Sequence, residues 1–493
     1  MTSVSSSEIN QLPTATVETP APASPTRHRV EHSLASRFVF LTLCLAIVLS
    51  ALAFGTVHYW ALGAFSLGAL AILILWAWDA WQLGTLRIST NILQLPLIGM
   101  LLLGIVQLLP LRSHTDTSAL SIGAVRSLSF DPYSTRLVLV QVLALLIYFA
   151  ATLVFTDSPR RLRQLVRTII IFGFCLAIFG LTQSFTSTNR VYWFRELSQS
   201  TAFGPFINRH HFAGYMELTL ALPLGLLFAG AIERDKRFIY LFAAGLMGVA
   251  LIMTNSRGGI ISLVAQILFL AAIAGFRRSH RSREQHKGKN RIRNAALRAG
   301  LALALVISLF AGVVLLGGES ALSRFVGTVH SDDPTQGRSH FWSVTLDIIK
   351  EYPMLGTGLG AFGVVYTRYD TRNGLYRLEQ AHNDYLQVFA DGGIVGAALA
   401  LFFVVMLFRI AFLRRESEDP FRRGVAIGAL AGCFAVLIHS FFDFTLHTTS
   451  NALLFLILAA LATMNGRVEQ AYPRRRRRRR SRSSLESRVR ESV

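Results

Sequence analysis

Apolar runs long enough to cross a bilayer recur along almost the whole chain, and that restricts it to few folds. A helix needs about 20 mainly apolar residues to span the hydrocarbon core. Such runs lie near 38–56, 60–78, 91–109, 137–155, 165–184, 212–232, 238–254, 259–276, 299–317, 393–413, 424–442 and 450–464. Only Thr254–Gly259 separates the seventh from the eighth. The expectation is an all-α polytopic membrane protein of about 12 transmembrane helices. A mean hydropathy of +0.46 and a charged share of 16% agree with it, since soluble domains carry about a quarter charged residues. Cys44, Cys175 and Cys433 each lie inside an apolar run. They read as small packing residues, with no disulfide framework and no thiolate metal site.

Orientation follows from Lys and Arg in the short loops. With a cytoplasmic N-terminus, the cytoplasmic loops include "DSPRRLRQ" (157–164), "ERDKR" (233–237), "FRRSHRSREQHKGKNRIRNAALR" (276–298) and "LRRESEDPFRR" (413–423). The tail "PRRRRRRRSRSS" (473–484) falls on the same side. The opposite parity would export all five basic segments. The net charge of +21 is therefore mostly a topology signal. The Arg-rich tail reads as an anchor beside anionic headgroups, not a nucleic-acid site. Trp76, Trp78 and Trp81 read as an interfacial aromatic belt. The expected layout is a disordered cytoplasmic tail over 1–36 with no cleavable signal peptide, helices one to nine over 37–317, a long external loop over 318–392, three helices over 393–465, and a basic cytoplasmic tail over 466–493.

No Walker A loop, dinucleotide fingerprint, His-Glu-x-x-His motif or Gly-x-Ser-x-Gly elbow occurs, so soluble nucleotide chemistry is unsupported. The topology instead gathers polar residues on the external side. "FGPFINRHHFAGYMEL" (203–218) carries Asn208, Arg209, His210 and His211; "TNSRGG" (254–259) carries Arg257; "GRSHFW" (337–342) carries Arg338 and His340; "QAHNDYLQ" (380–387) carries His382 and Asn383. Each has a plain alternative. Arg257 can cap a helix or snorkel, Arg338 can be a solvated loop charge, His382 and Asn383 can be local caps, and His210 and His211 can be interfacial. Metal binding is not favoured, because no carboxylate accompanies these histidines at ligand spacing. Taken together, arginines from separate segments could hold a diphosphate through charge-assisted hydrogen bonds, and a neutral histidine could take a proton from an attacking hydroxyl. Gly356, Gly358 and Gly360 in "PMLGTGLGAF" read as a tight turn, since no strand-turn-helix pattern surrounds them.

"GRSHFW", "YPMLGTGLGAF", "AHNDYLQ" and "DGGIVGA", with "FGPFINRHHFAGY" and "SRGG" upstream, resemble the motifs of the O-antigen ligase and O-antigen polymerase superfamily of bacterial membrane glycosyltransferases. The likeness covers roughly residues 200–400. It implies a C-type glycosyltransferase fold in the bacterial inner membrane with no cofactor and no metal. It implies transfer of a glycan from undecaprenyl diphosphate to an acceptor hydroxyl on lipid A core, a growing glycan or a protein. By the resemblance, Arg257 and Arg338 meet the donor diphosphate and His382 activates the acceptor. Arg209, Asn208, His211 and Asn383 line the substrate site. The family pattern often carries a second Asn near Asn208, where this chain has "NRHH". His439 and Asp443, four residues apart, would share a helix face and orient His382 or the acceptor. The competing classes are a flippase of lipid-linked sugars, a protein O-oligosaccharyltransferase, and a scaffold acting through the basic tail.

Overall fold

A computed structural model describes residues 32–111, 126–187, 189–197, 201–275, 337–372, 378–414 and 417–464. Thirteen α-helices run through these residues: α1 Leu34–Leu52, α2 Tyr59–Leu83, α3 Gln94–Gln107, α4 Pro132–Phe155, α5 Pro159–Thr186, α6 Arg209–Phe228, α7 Arg237–Met253, α8 Arg257–Gly275, α9 Arg338–Glu351, α10 Phe362–Tyr369, α11 Asp384–Arg414, α12 Pro420–His439 and α13 Thr449–Thr463. A two-stranded hairpin, Arg190–Val191 with Arg195–Glu196, lies between α5 and α6.

The helix starts are chemically explicit. Asp131, Ser158 and Asp419 each accept backbone hydrogen bonds at the N-caps of α4, α5 and α12, and each is followed by a proline at the first helical position. The side chain satisfies donors that the first turn orphans, and proline's missing N–H costs nothing there. Among the described residues, eight helices are long and apolar enough to cross a membrane. Three shorter apolar helices, α3, α8 and α13, fall on three more expected spans. The expected span 299–317, the basic loop 276–298 and both tails lie outside the described residues.

Burial sorts the helices into layers. The apolar window of α6 is 94% buried and that of α12 78%, whereas those of α2 and α11 are each 22% buried. The first pair forms the centre and the second pair the rim, where Leu67, Trp81 and Leu401 are exposed as lipid-facing groups are. Trp76, by contrast, turns inward: its Nε1–H donates to the carbonyl of Arg87 at 3.0 Å and its ring meets Phe155.

Residues 337–372 and 378–392 of the expected long loop are among the described residues, and 318–336 lie outside them. α9 and α10 pack Val344, Ile348, Phe362 and Tyr366 against Ala381 and Ala390. α11 begins at Asp384, nine residues before the expected span start at Gly393. Gly393 is instead a break inside it, with φ 61° and ψ −160°. The glycine turn docks into this break. Thr357 N–H donates to the Ala390 carbonyl (2.9 Å), Gly358 N–H to that of Asp391 (3.1 Å), and Ile394 N–H to that of Pro353 (2.8 Å). The Gln107 side-chain amide donates to the carbonyls of Leu355 and Asp391. This is a backbone knot that seats the loop on the bundle, consistent with the tight-turn reading. Gly356, at φ 70°, leaves no room: an added Cβ would lie 2.4 Å from the carbonyl carbon of Asp391. Gly356→Ala should therefore cost about 2 kcal/mol or more, read as a lowered thermal midpoint of the detergent-solubilised protein.

Candidate functional site

Hydrogen bonds bring together the starts of α6, α8, α9 and α11 and the end of α12. Asn208 caps α6, its side-chain oxygen accepting from His210 N–H at 2.9 Å. That fixes the helix whose first residues are Arg209, His210 and His211. Ser256 caps α8 by accepting from Gly259 N–H at 3.2 Å, which places Arg257 at the helix's first turn. The two glycines after Arg257 allow close packing there. A Cβ on Gly258 would lie 2.7 Å from the His439 ring, and one on Gly259 would lie 3.0 Å from Ala213. Arg338 starts α9 after Gly337 in a left-handed conformation. Arg257 and Arg338 are close enough to act on each other electrostatically.

Asp443 joins these elements. It lies in the turn after α12, 1% exposed, with its N–H donating to the His439 carbonyl. Its Oδ2 accepts from Arg338 Nη2 at 3.3 Å and stands 3.6 Å from His210 Nδ1. Its Oδ1 stands 3.3 Å from His382 Nδ1 and accepts from Phe444 N–H. Burial pushes this carboxyl up, but His210, His382 and Arg338 together outweigh burial and hold it well below the usual carboxylate range. The carboxylate missing from the local sequence around the histidines thus arrives from elsewhere in the chain. Among the described residues no group of three His, Cys, Asp or Glu is arranged to hold a metal ion.

His382 is held unusually. Its φ is 52°, a left-handed value that costs a non-glycine residue energy. Its ring stacks on Phe341 and meets Phe444 edge-on. The residues after it are stapled down. Asn383 Oδ1 accepts from Tyr385 and Leu386 N–H, and its Nδ2 donates to the Phe441 carbonyl. Asp384 accepts from Ser440 Oγ and from Leu446 N–H, and pairs with His447 at 2.6 Å. Asn383 and Asp384 therefore lock the backbone on which His382 is strained.

The structure brings Arg257, Arg338, His382 and Asp443 together, with Arg209 beside His210 at the start of α6. It uses Asn208 and Asn383 as helix caps. It buries His211 at 6% exposure against Phe444, away from an open surface. His340 pairs with Asp370 at 3.0 Å. Of the pair expected to orient His382, Asp443 faces it at 3.3 Å; His439, the last residue of α12, faces Glu217 and Ser256 instead. His439 Nδ1 stands 2.8 Å from Glu217 Oε1, both side chains fully buried, and its Nε2 faces Ser256 Oγ at 3.4 Å. Glu217 and Ser256 were not among the expected site residues. Glu217 carried a signal, as the one acidic residue inside the sixth span, where an ionisable group marks function by default.

The family profile described as O-antigen ligase matches residues 242–401. That stretch contains Arg257, Arg338 and His382; His210, Glu217, His439 and Asp443 lie outside it. No curated protein gives a significant match. The motif resemblance to the O-antigen ligase and polymerase superfamily is therefore shared by an independent profile, and the chain is a multi-pass, mainly helical membrane protein.

Proposed function

From the premise that residues 242–401 carry an O-antigen ligase domain, we propose that this chain transfers a glycan from undecaprenyl diphosphate to an acceptor hydroxyl. The reaction takes place at the external face of the bacterial inner membrane, with both termini in the cytoplasm. The observation that carries this reading is Asp443, one buried carboxylate that faces His382, His210 and Arg338 at once.

A carboxylate at His382 Nδ1 keeps a proton on that nitrogen and leaves the Nε2 lone pair as the acceptor. The acceptor hydroxyl gives its proton to Nε2 as its oxygen forms a bond to the anomeric carbon of the donor. The bond from that carbon to the diphosphate oxygen breaks, and undecaprenyl diphosphate leaves with the electron pair. Arg257 and Arg338 supply the fixed positive charge that stabilises the leaving group. The orientation rests on the positive loops. The polar groups gather at one bundle end, whereas lipid-sugar transport calls for binding charges near the midplane.

His382→Ala should lower transfer on the order of 10²–10⁴-fold, with protein level and membrane insertion unchanged. The assay is transfer by the full chain in nanodiscs from a polyprenyl-diphosphate glycan. Transfer at the wild-type rate would remove His382 from the reaction. Mass spectrometry of envelope lipids from a deletion strain then separates the acceptors. Bare lipid A core indicates a ligase, single-unit glycans on that core a polymerase, and an unmodified protein a protein glycosylation enzyme.

A further inference from the structure

The Glu217–His439 pair and Ser256 form a hydrogen-bond chain that ends on His210, and the chain has a direction. Glu217 and His439 are fully buried. A net charge is expensive there, so the pair is cheapest when it is neutral as a whole. It can be neutral as carboxylate with imidazolium, or as carboxylic acid donating to Nδ1 of a neutral ring. In both states His439 Nε2 carries a proton. The remaining neutral state puts the acid proton on Glu217 Oε2, and that oxygen has no hydrogen-bond partner among the described residues. A buried O–H would then be left without an acceptor.

His439 Nε2–H therefore points at Ser256 Oγ, 3.4 Å away. The same oxygen accepts from Gly259 N–H at 3.2 Å. A serine oxygen has two lone pairs and one hydrogen. With both lone pairs taken, the hydrogen goes to the third neighbour, His210 Nδ1, at 2.8 Å, the shortest of the three contacts. His210 Nδ1 is then an acceptor, and the ring proton sits on Nε2. Asp443 Oδ2, 3.6 Å from that Nδ1, is beyond hydrogen-bond range. It is the acceptor an Nδ1–H would take if the chain were cut.

We infer that Glu217, His439 and Ser256 are positioning residues that hold His210 as a neutral Nε2–H donor, opposite in tautomer to His382 on the other oxygen of Asp443. Resting on the transfer reading, this divides the work. His382 offers a lone pair to the acceptor hydroxyl, and His210 offers a hydrogen bond to an oxygen of the donor diphosphate. Its ring is 17% exposed, so a ligand can reach it.

The test reads the ring nitrogens by NMR in the full chain in nanodiscs, with isotope-labelled histidine. The chain has 13 histidines, so the His210 signals are assigned by their loss in His210→Gln. The expected wild-type result is a proton on Nε2 and none on Nδ1; the reverse overturns the proposal. Ser256→Ala should move the proton to Nδ1, toward Asp443, while Ser256→Thr, which keeps a hydroxyl, should leave it on Nε2. An unchanged tautomer in Ser256→Ala also overturns it. In the transfer assay Ser256→Ala should raise the KM for the lipid-diphosphate donor on the order of tenfold, more than it lowers kcat. If wild type transfers no glycan, the functional reading fails, while the tautomer result still decides the relay.

Discussion

Asp443→Asn should lower glycan transfer on the order of 10³-fold or more, with the chain still folded and inserted. The substitution keeps size and shape. It replaces an acceptor that serves two neighbours with an amide that has one accepting and one donating end. If the amide oxygen faces Arg338, its NH₂ faces His382 Nδ1 and demands a lone pair there. The ring proton then moves to Nε2, and the base can no longer accept. If the amide oxygen faces His382, Arg338 meets NH₂ groups and loses its counter-charge at 3.3 Å. Either arrangement disables one half of the proposed chemistry. A variant retaining even a tenth of wild-type transfer would show that the shared carboxylate is structural.

The same carboxylate sets the acid behaviour. Its folded-state value is depressed by His210, His382 and Arg338. Its stabilising contribution is therefore present above the ordinary carboxylate value of about 3.9, and is lost only as pH falls through the lower folded value. Mild acidification should thus leave this contribution in place: the gap in thermal midpoint between wild type and Asp443→Asn should stay constant from neutral pH down to about pH 5. Thermal unfolding of both proteins against pH checks this, and a gap that closes in that range would contradict it.

Eleven of the expected apolar spans fall on helices of the described residues, because span length is a local property. The start of α11 was misplaced for an equally physical reason. Asn383, Asp384, Gln387 and Asp391 look like loop residues, yet each is satisfied by a partner distant in sequence or one turn away: Phe441, Ser440, the Ala381 N–H and the Gln387 amide. Polarity signals a loop only when the partner is water. His382 was legible through its motif and Arg257 through its glycines. Asp443 was singled out, together with His439, as a group to orient His382, and its carboxylate does face that ring across 61 positions. Asp443 N–H still bonds to the His439 carbonyl just past the end of α12, and of the two side chains it is Asp443 that faces His382. The Glu217–His439 contact crosses 222 positions and depends on how α6 meets α12.

That meeting is itself written in the sequence, as Gly424, Gly428 and Gly432 at four-residue intervals on one side of α12. Small residues so spaced let two helices in a membrane approach backbone to backbone. An added Cβ on Gly428 would lie 2.6 Å from the Ala221 carbonyl oxygen and 3.1 Å from the Cα of Gly225; one on Gly225 would lie 2.3 Å from the Cα of Gly428. These neighbours are backbone, which cannot swing aside as a side chain can. Gly428→Leu should therefore destabilise the protein by about 3 kcal/mol or more, read as a lower thermal midpoint in detergent. Gly245→Leu on α7, where an added Cβ meets nothing within 4 Å, should stay within about 0.5 kcal/mol of wild type. The wedge should also cost transfer at temperatures where the variant remains folded. α6 carries His210 and Glu217, α12 carries His439 and leads into Asp443, and a shift of about 1 Å is enough to open hydrogen bonds of 2.8 Å. Equal midpoints for the two leucine variants would mean that α6 and α12 are not in backbone contact, and the site assembled across them would lose its support.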